Sequence, residues 1–163
     1  MRKKPSIHLI HGFMGFGKTT LSNKLAQTLP AIKLTHDDFM FEQFGRDPDD
    51  FLNKYKIVED FLKEKTAEEI KKGNSVILDY GFWEKETRKN YYNWAKTLTP
   101  NVFFHALQCD LNVAKKRVLK RSAENPNELL ITEEIFFIRL PRFEPMSEDE
   151  GFPVTFYQSE NQN

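Results

Sequence analysis

The stretch Gly12-Phe13-Met14-Gly15-Phe16-Gly17-Lys18-Thr19-Thr20 constrains this chain more than any other. It carries the spacing G-x-x-x-x-G-K-[ST], in which glycines let backbone N–H groups wrap a phosphate. A lysine ammonium then meets the outer oxygens, and a hydroxyl is offered to Mg²⁺. Before it, Ser6-Ile7-His8-Leu9-Ile10 is a short apolar run suited to a buried strand; after it, Leu21, Leu25, Ala26 and Leu29 recur at helical spacing. Strand, glycine loop and helix follow in the order a triphosphate-binding loop requires, and the helix N-terminus adds free N–H groups and partial positive charge. The bland alternative is a glycine-rich turn that binds nothing.

At 163 residues the chain is long enough for one domain with a sizeable core and short for two. Lys plus Arg and Asp plus Glu balance at 24 each, so no global basic field drives sequence-independent nucleic-acid binding, although a local patch stays open. The single Cys109 excludes an internal disulfide. The first apolar run is too short for a secretory signal, and no stretch has the length to span a bilayer, so a cytoplasmic setting is expected.

Pro30 ends the first helix, and Ala31–Thr35 reads as a second strand running into His36-Asp37-Asp38. Carboxylates at the C-terminal end of a strand beside a phosphate loop lie where open α/β sheets bind ligands. One would approach Mg²⁺ or its water shell, and the other would accept a proton from an acceptor hydroxyl; capping the next helix is the competing use. Residues 39–50 read as irregular, broken by Gly45 and Pro48, with Phe39, Met40, Phe41 and Phe44 lining either an acceptor pocket or the core. Apolar steps from Phe51 to Ile70 predict a long helix. Ser75-Val76-Ile77-Leu78-Asp79 predicts a strand closed by an acid, a candidate for the Mg²⁺ shell or a substrate group, or else a partner of the following helix N-terminus. No glutamate follows Asp79 to activate water, which leans toward transfer to a bound acceptor.

Thr87, Tyr91, Trp94, Ala95 and Leu98 make one helical face, with Arg88 off that stripe. Val102–Leu107 is a further strand, His105 a sheet residue rather than a catalyst, and Cys109 a buried small hydrophobe. No His/Cys cluster has zinc spacing. Asp110 is placed to cap a helix from Leu111 on which Arg117 and Arg121, four apart, share a face. Their planar forks suit a triphosphate, and cations near a helix C-terminus also complement its dipole. Residues 122–130 read as a mobile cover, Thr132–Leu140 as a helix stopped by Pro141, and Val154–Tyr157 as a last strand before a polar tail expected to fray from Gln158.

With these residues laid out, positions 6–157 resemble the P-loop kinase branch that includes the 5′-hydroxyl polynucleotide kinases, the chloramphenicol phosphotransferases and the zeta-toxin-like enzymes. The resemblance rests on the glycine loop, Asp37-Asp38, Val76-Ile77-Leu78-Asp79, Arg88, and Arg117 with Arg121. It implies an α/β, three-layer P-loop NTPase fold in a single domain over 1–163, with a five-stranded parallel sheet of order 2-3-1-4-5, helices on both faces and a small lid at about 121–133. ATP is the implied donor and Mg²⁺ the cofactor. Lys18, Asp37, Arg117 and Arg121 are implied to be catalytic, Asp37 as general base. Gly12 through Thr20 with Arg117 and Arg121 would hold the nucleotide, and residues near Phe143 to Pro145 part of the adenine. Asp37, Asp38, Asp79 and Arg88 would hold the acceptor. Thr19, with Asp37 or Asp79, would hold the metal directly or through water.

The polynucleotide kinases carry an arginine shortly after the paired aspartates, where this chain has Met40. Losing that charge favours a less anionic or partly apolar small-molecule acceptor. The leading expectation is therefore ATP-dependent transfer to a hydroxyl of a small molecule. A nucleic-acid 5′-hydroxyl kinase and a non-catalytic nucleotide switch stay open. The only near match to a guanine-reading N-K-x-D, Asn53-Lys54-Tyr55-Lys56, lacks the Asp.

Overall fold

Runs of β-branched and apolar residues form β1 (Ser6–His11), β2 (Ala31–Thr35), β3 (Ser75–Gly81), β4 (Asn101–Gln108) and β5 (Val154–Gln158). In the computed structural model, which describes residues 4–159, these strands form one sheet of order β2-β3-β1-β4-β5 with every pair parallel. This is the expected α/β fold and strand order. Parallel neighbours need long crossovers, which are supplied by α1 (Lys18–Thr28), α2 (His36–Phe44) with α3 (Phe51–Lys71), α4 (Lys85–Leu98), and α5 (Leu111–Glu124) with α6 (Glu133–Arg139).

Strand side chains alternate between faces, so each face builds its own core. Ile7, Leu9, Val76 and Leu78 point toward Met40 of α2, Val58 and Leu62 of α3, and Tyr91 and Ala95 of α4. Ile10 and Ile77 point the other way, toward Leu21 and Leu25 of α1, Ala114 and Val118 of α5, and Phe136 of α6. Register brings the functional edge together: Thr35 pairs with Asp79 across β2 and β3, and Asp79 with Ile10 across β3 and β1. The C-terminal ends of three strands thus meet at the start of the glycine loop.

Several local expectations change. The segment read as irregular begins with α2, because Thr35 stands at its N-cap and Asp37 and Asp38 supply first-turn carboxylates that complement its dipole. Met40 on this helix is fully buried in the core, so its identity carries no information about acceptor charge. Cys109 is partly exposed rather than buried. Asp110 does cap α5, accepting from the Asn112 and Val113 amides. Part of the tail expected to fray lies in β5, and its residues 160–163, like residues 1–3 of the stretch read for a signal, fall outside the described residues. Among the described residues no helix is long and apolar enough to cross a membrane.

Candidate functional site

The glycine loop is pressed against α5. A Cβ on Gly15 would lie 2.2 Å from the Ala114 carbonyl oxygen, and Gly15 has φ of +80°, so only glycine fits there. Gly17, with φ of 95°, stands at the N-cap of α1, where no side chain caps the helix and no acidic residue occupies the first turn. The positive end of α1 thus carries no acidic side chain of its own. Lys18 Nζ donates to the Phe13 carbonyl oxygen at 3.1 Å, and burial lowers the ammonium's pKa although Asp79 and Asp37 oppose that shift. Asp79 is buried and accepts a hydrogen bond from Ser22 Oγ at 3.0 Å. Burial raises its pKa against the opposing pull of Lys18 and Ser22. Asp79 therefore pairs with α1, not with the N-terminus of α4.

A cavity of about 970 Å³, partly open to solvent, is lined by Gly15, Gly17, Lys18 and Thr19, by Asp37, Asp38 and Asp79 at the strand ends, and by Arg121 and Arg139. Asp37 and Asp38 are exposed in the first turn of α2, so they serve the helix and face the cavity at once. Desolvation raises the pKa of Asp38, with Lys33 opposing and Asp37 adding to the shift. A neighbouring cavity of about 1040 Å³ is lined by Gly17, Thr20, Lys24, Arg117, Arg121, Tyr157 and Ser159. The two α5 arginines therefore divide: Arg121 lines both cavities and pairs with Glu128 at 3.0 Å, whereas Arg117 lines only the second and donates to Ser159 Oγ at 2.7 Å. Phe143, expected at the adenine, packs against the rings of His11, Phe13 and Phe16 at centroid distances of 5.3, 5.3 and 5.4 Å, and with Pro145 it lines a separate cavity that Phe16 and Leu107 also reach. Neither it nor Pro145 lines the cavity that Arg117 faces.

Arg88, expected on the acceptor, has no exposed surface and lines neither cavity. Its Nε and one terminal nitrogen fork onto Glu150 at 2.8 and 2.9 Å, and the other terminal nitrogen reaches the carbonyls of Phe82, Trp83 and Glu144 at 2.8 to 3.0 Å. His11 supports the same loop. Its Nε2 accepts from the Met146 amide at 3.1 Å, which leaves the proton on Nδ1 to donate to the Phe82 carbonyl at 2.9 Å. Burial holds the His11 pKa down at about 4, in keeping with a neutral ring. Phe82 has φ of 48°, a left-handed conformation that these two side chains hold in place. Trp83 Nε1 then donates to the Gly12 carbonyl at 3.2 Å, and the Gly12 amide to the Gly81 carbonyl at 3.0 Å. Arg88 acts as the keystone behind the glycine loop.

Sequence reasoning did not select Arg139, Trp83, Tyr80 or Glu128, which also line the first cavity. Arg139 closes a short helix, where a cation reads as a dipole complement. Tyr80 had a usable signal: if Asp79 faces the loop, strand alternation sends its neighbour to the opposite face.

A model of the AAA domain family matches residues 7–145. No curated protein matches the sequence significantly. Similar solved structures include a candidate kinase from Chloroflexus aurantiacus J-10-fl, 20% identical with TM-score 0.77, covering 98% of this chain and 90% of that one. A gluconokinase from Sinorhizobium meliloti 1021 is 12% identical with TM-score 0.64, covering 99% of this chain and 86% of that one. Chaetomium thermophilum Kti12 in complex with ADP-AlF3 is 15% identical with TM-score 0.68, covering 96% and 90% respectively. At these identities the likeness is one of fold.

Proposed function

This chain belongs to the AAA domain family, and from its kinase-like P-loop fold we propose that it is an ATP-dependent phosphotransferase acting on a hydroxyl of a small molecule. The observation that carries this reading is one cavity that joins a phosphate loop and Lys18 to carboxylates and two guanidinium groups. In this reading residues 1–163 form a single kinase domain of the polynucleotide kinase, chloramphenicol phosphotransferase and zeta-toxin branch, with 121–133 as its lid, working in the cytoplasm.

Gly12 through Thr20 cradle the ATP phosphates with backbone amides, and Lys18 exchanges its Phe13 carbonyl for phosphate oxygens. Arg117 and Arg121 hold the nucleotide, its base lying in the cavity lined by Arg117, Tyr157 and Ser159. Asp37 accepts the proton of the acceptor hydroxyl. The acceptor oxygen bonds to the γ-phosphorus as the bond to the β,γ-bridging oxygen breaks, ADP departs, and Asp37 releases the proton to water. Asp38 and Asp79 assist on the acceptor side.

The residues fit Mg²⁺. Thr19, Asp37 and Asp79 line one cavity and offer the hard oxygen donors this ion takes, which phosphate oxygens and water would complete. When bound, it would neutralise phosphate charge. The balanced net charge disfavours a nucleic-acid acceptor.

Calorimetry with ATP and ADP-release assays over a panel of hydroxyl compounds test the reading. Asp37→Asn should retain ATP affinity and lose transfer by about 10²- to 10⁴-fold. Lys18→Ala should lose ATP binding or turnover. Unchanged binding and turnover in Lys18→Ala would sink the proposal.

A further inference from the structure

Building on the kinase reading, we propose that a cleft beside the phosphate cavity, walled by Tyr55, Tyr80, Trp83 and Tyr91, is the acceptor pocket and takes a neutral polyhydroxylated compound, a sugar or cyclitol. The cleft is partly open to solvent and shares Tyr80 and Trp83 with the phosphate cavity. It lies on the sheet face that Tyr80 enters because Asp79 takes the other.

Buried side-chain polar atoms nearly always find a partner. Among the described residues four lack one: Thr35 Oγ1, His36 Nδ1, Tyr80 OH and Tyr91 OH. They fall on neighbouring residues. Thr35 lines the phosphate cavity, and Tyr80 and Tyr91 line the cleft. The His36 ring stacks on Tyr55 at 3.8 Å and meets the edge of Tyr80 at 5.5 Å, and Tyr80 meets Tyr91 edge-on at 5.9 Å. A phenol can both donate and accept, so a ligand rich in hydroxyls would supply the partners that Tyr80 and Tyr91 lack, and the rings offer flat faces to its C–H surface.

Charge narrows the class. Among the described residues Glu59, Glu84 and Arg142 are the charged groups lining the cleft; Arg142 is paired with Glu84 at 2.9 Å, and Glu59 with Lys56 at 3.3 Å. Glu59, with a side chain 18% exposed, reaches toward Tyr91 without closing a well-formed hydrogen bond. Paired carboxylate oxygens still accept from ligand hydroxyls, and among the described residues the lining has no excess of cations with which to hold a sugar acid or a phosphate ester.

The test uses the full chain with myo-inositol, D-glucose, D-glucosamine, D-gluconate and glycerol 3-phosphate as probes. Binding is read by saturation-transfer NMR, and transfer by ADP release. A neutral polyol should bind at least tenfold more tightly than either anion. Tyr91→Phe should raise the KM for that polyol about tenfold, leave ATP affinity unchanged, and keep or raise Tm, because it removes a buried hydroxyl that closes no well-formed hydrogen bond. Preference for an anion or a requirement for the amine, failure of every neutral polyol to bind, or a Tyr91→Phe variant with lowered Tm and unchanged KM overturns the proposal. The two readings fail separately. Polyol binding sensitive to Tyr91→Phe without ADP release supports the pocket and refutes the kinase reading; ADP release insensitive to Tyr91→Phe does the reverse.

Discussion

Replacing Arg88 by methionine removes the cation beneath the Phe82–Glu84 loop while roughly keeping side-chain bulk. Arg88 is wholly buried and the Glu150 side chain is 8% exposed, so neither the carboxylate nor the carbonyls of Phe82, Trp83 and Glu144 gain easy access to water when the guanidinium goes. Deleting one member of a buried ion pair costs about 3–5 kcal/mol. The abandoned carbonyls, each worth about 1 kcal/mol, place Arg88→Met toward the upper end. For a chain of this size each kcal/mol moves Tm by about 2–4 °C, so melting followed by circular dichroism should show a fall of roughly 6–20 °C. Arg88→Lys keeps the charge but not the fork, and should fall between. The acid limb carries a second signature. Partial burial raises the Glu150 pKa, but hydrogen bonds from Arg88 outweigh it and hold the carboxyl below its ordinary 4.5. A lowered folded pKa contributes stability that is complete above the unfolded value and is lost as pH falls through the folded one. Arg88→Met should abolish that loss below pH 4.5. An unchanged Tm together with a raised acceptor KM would refute this reasoning and return Arg88 to the acceptor site.

Gly15→Ala should destabilise the protein and impair nucleotide binding together, because the new methyl meets the backbone of α5 rather than a movable side chain; wild-type ATP affinity and Tm would contradict the packing. Arg121→Ala should lower kcat more than Arg117→Ala, since only Arg121 lines both cavities, and equal losses in ADP-release kinetics would deny that division. His8, His11 and His105 are held neutral by burial at pKa values of about 4 against an ordinary 6.5. Their stabilising contribution is present above pH 6.5 and lost as pH falls toward 4, with a slope of up to about 1.4 kcal/mol per pH unit for each ring. Urea titrations of His105→Gln between pH 7 and 4 should therefore show a shallower decline than the parent, and an identical slope would remove His105 from this linkage.

Much of the fold was legible because its determinants are neighbours along the chain. The glycine spacing, the helical period after Lys18, the Asp110 cap and the strand ending at Asp79 each depend on hydrogen bonds or side-chain directions within a few residues. From them the phosphate loop followed, whereas the sheet order came from the family resemblance that these residues carry. Residues 39–44 misled because clustered phenylalanines hid a helix whose start lies in Thr35 and the following aspartates. The candidate acceptor side was illegible for a different reason. Arg88 looked free because its partner Glu150 lies 62 positions away, and Tyr80 and Tyr91 become one wall only when β3 and α4 pack. Burial, and with it the choice between a structural cation and a binding one, is decided by which distant segments exclude water. What the sequence determined by itself was the chemistry of the glycine loop; what only the tertiary structure decided was which polar groups around it are left without partners.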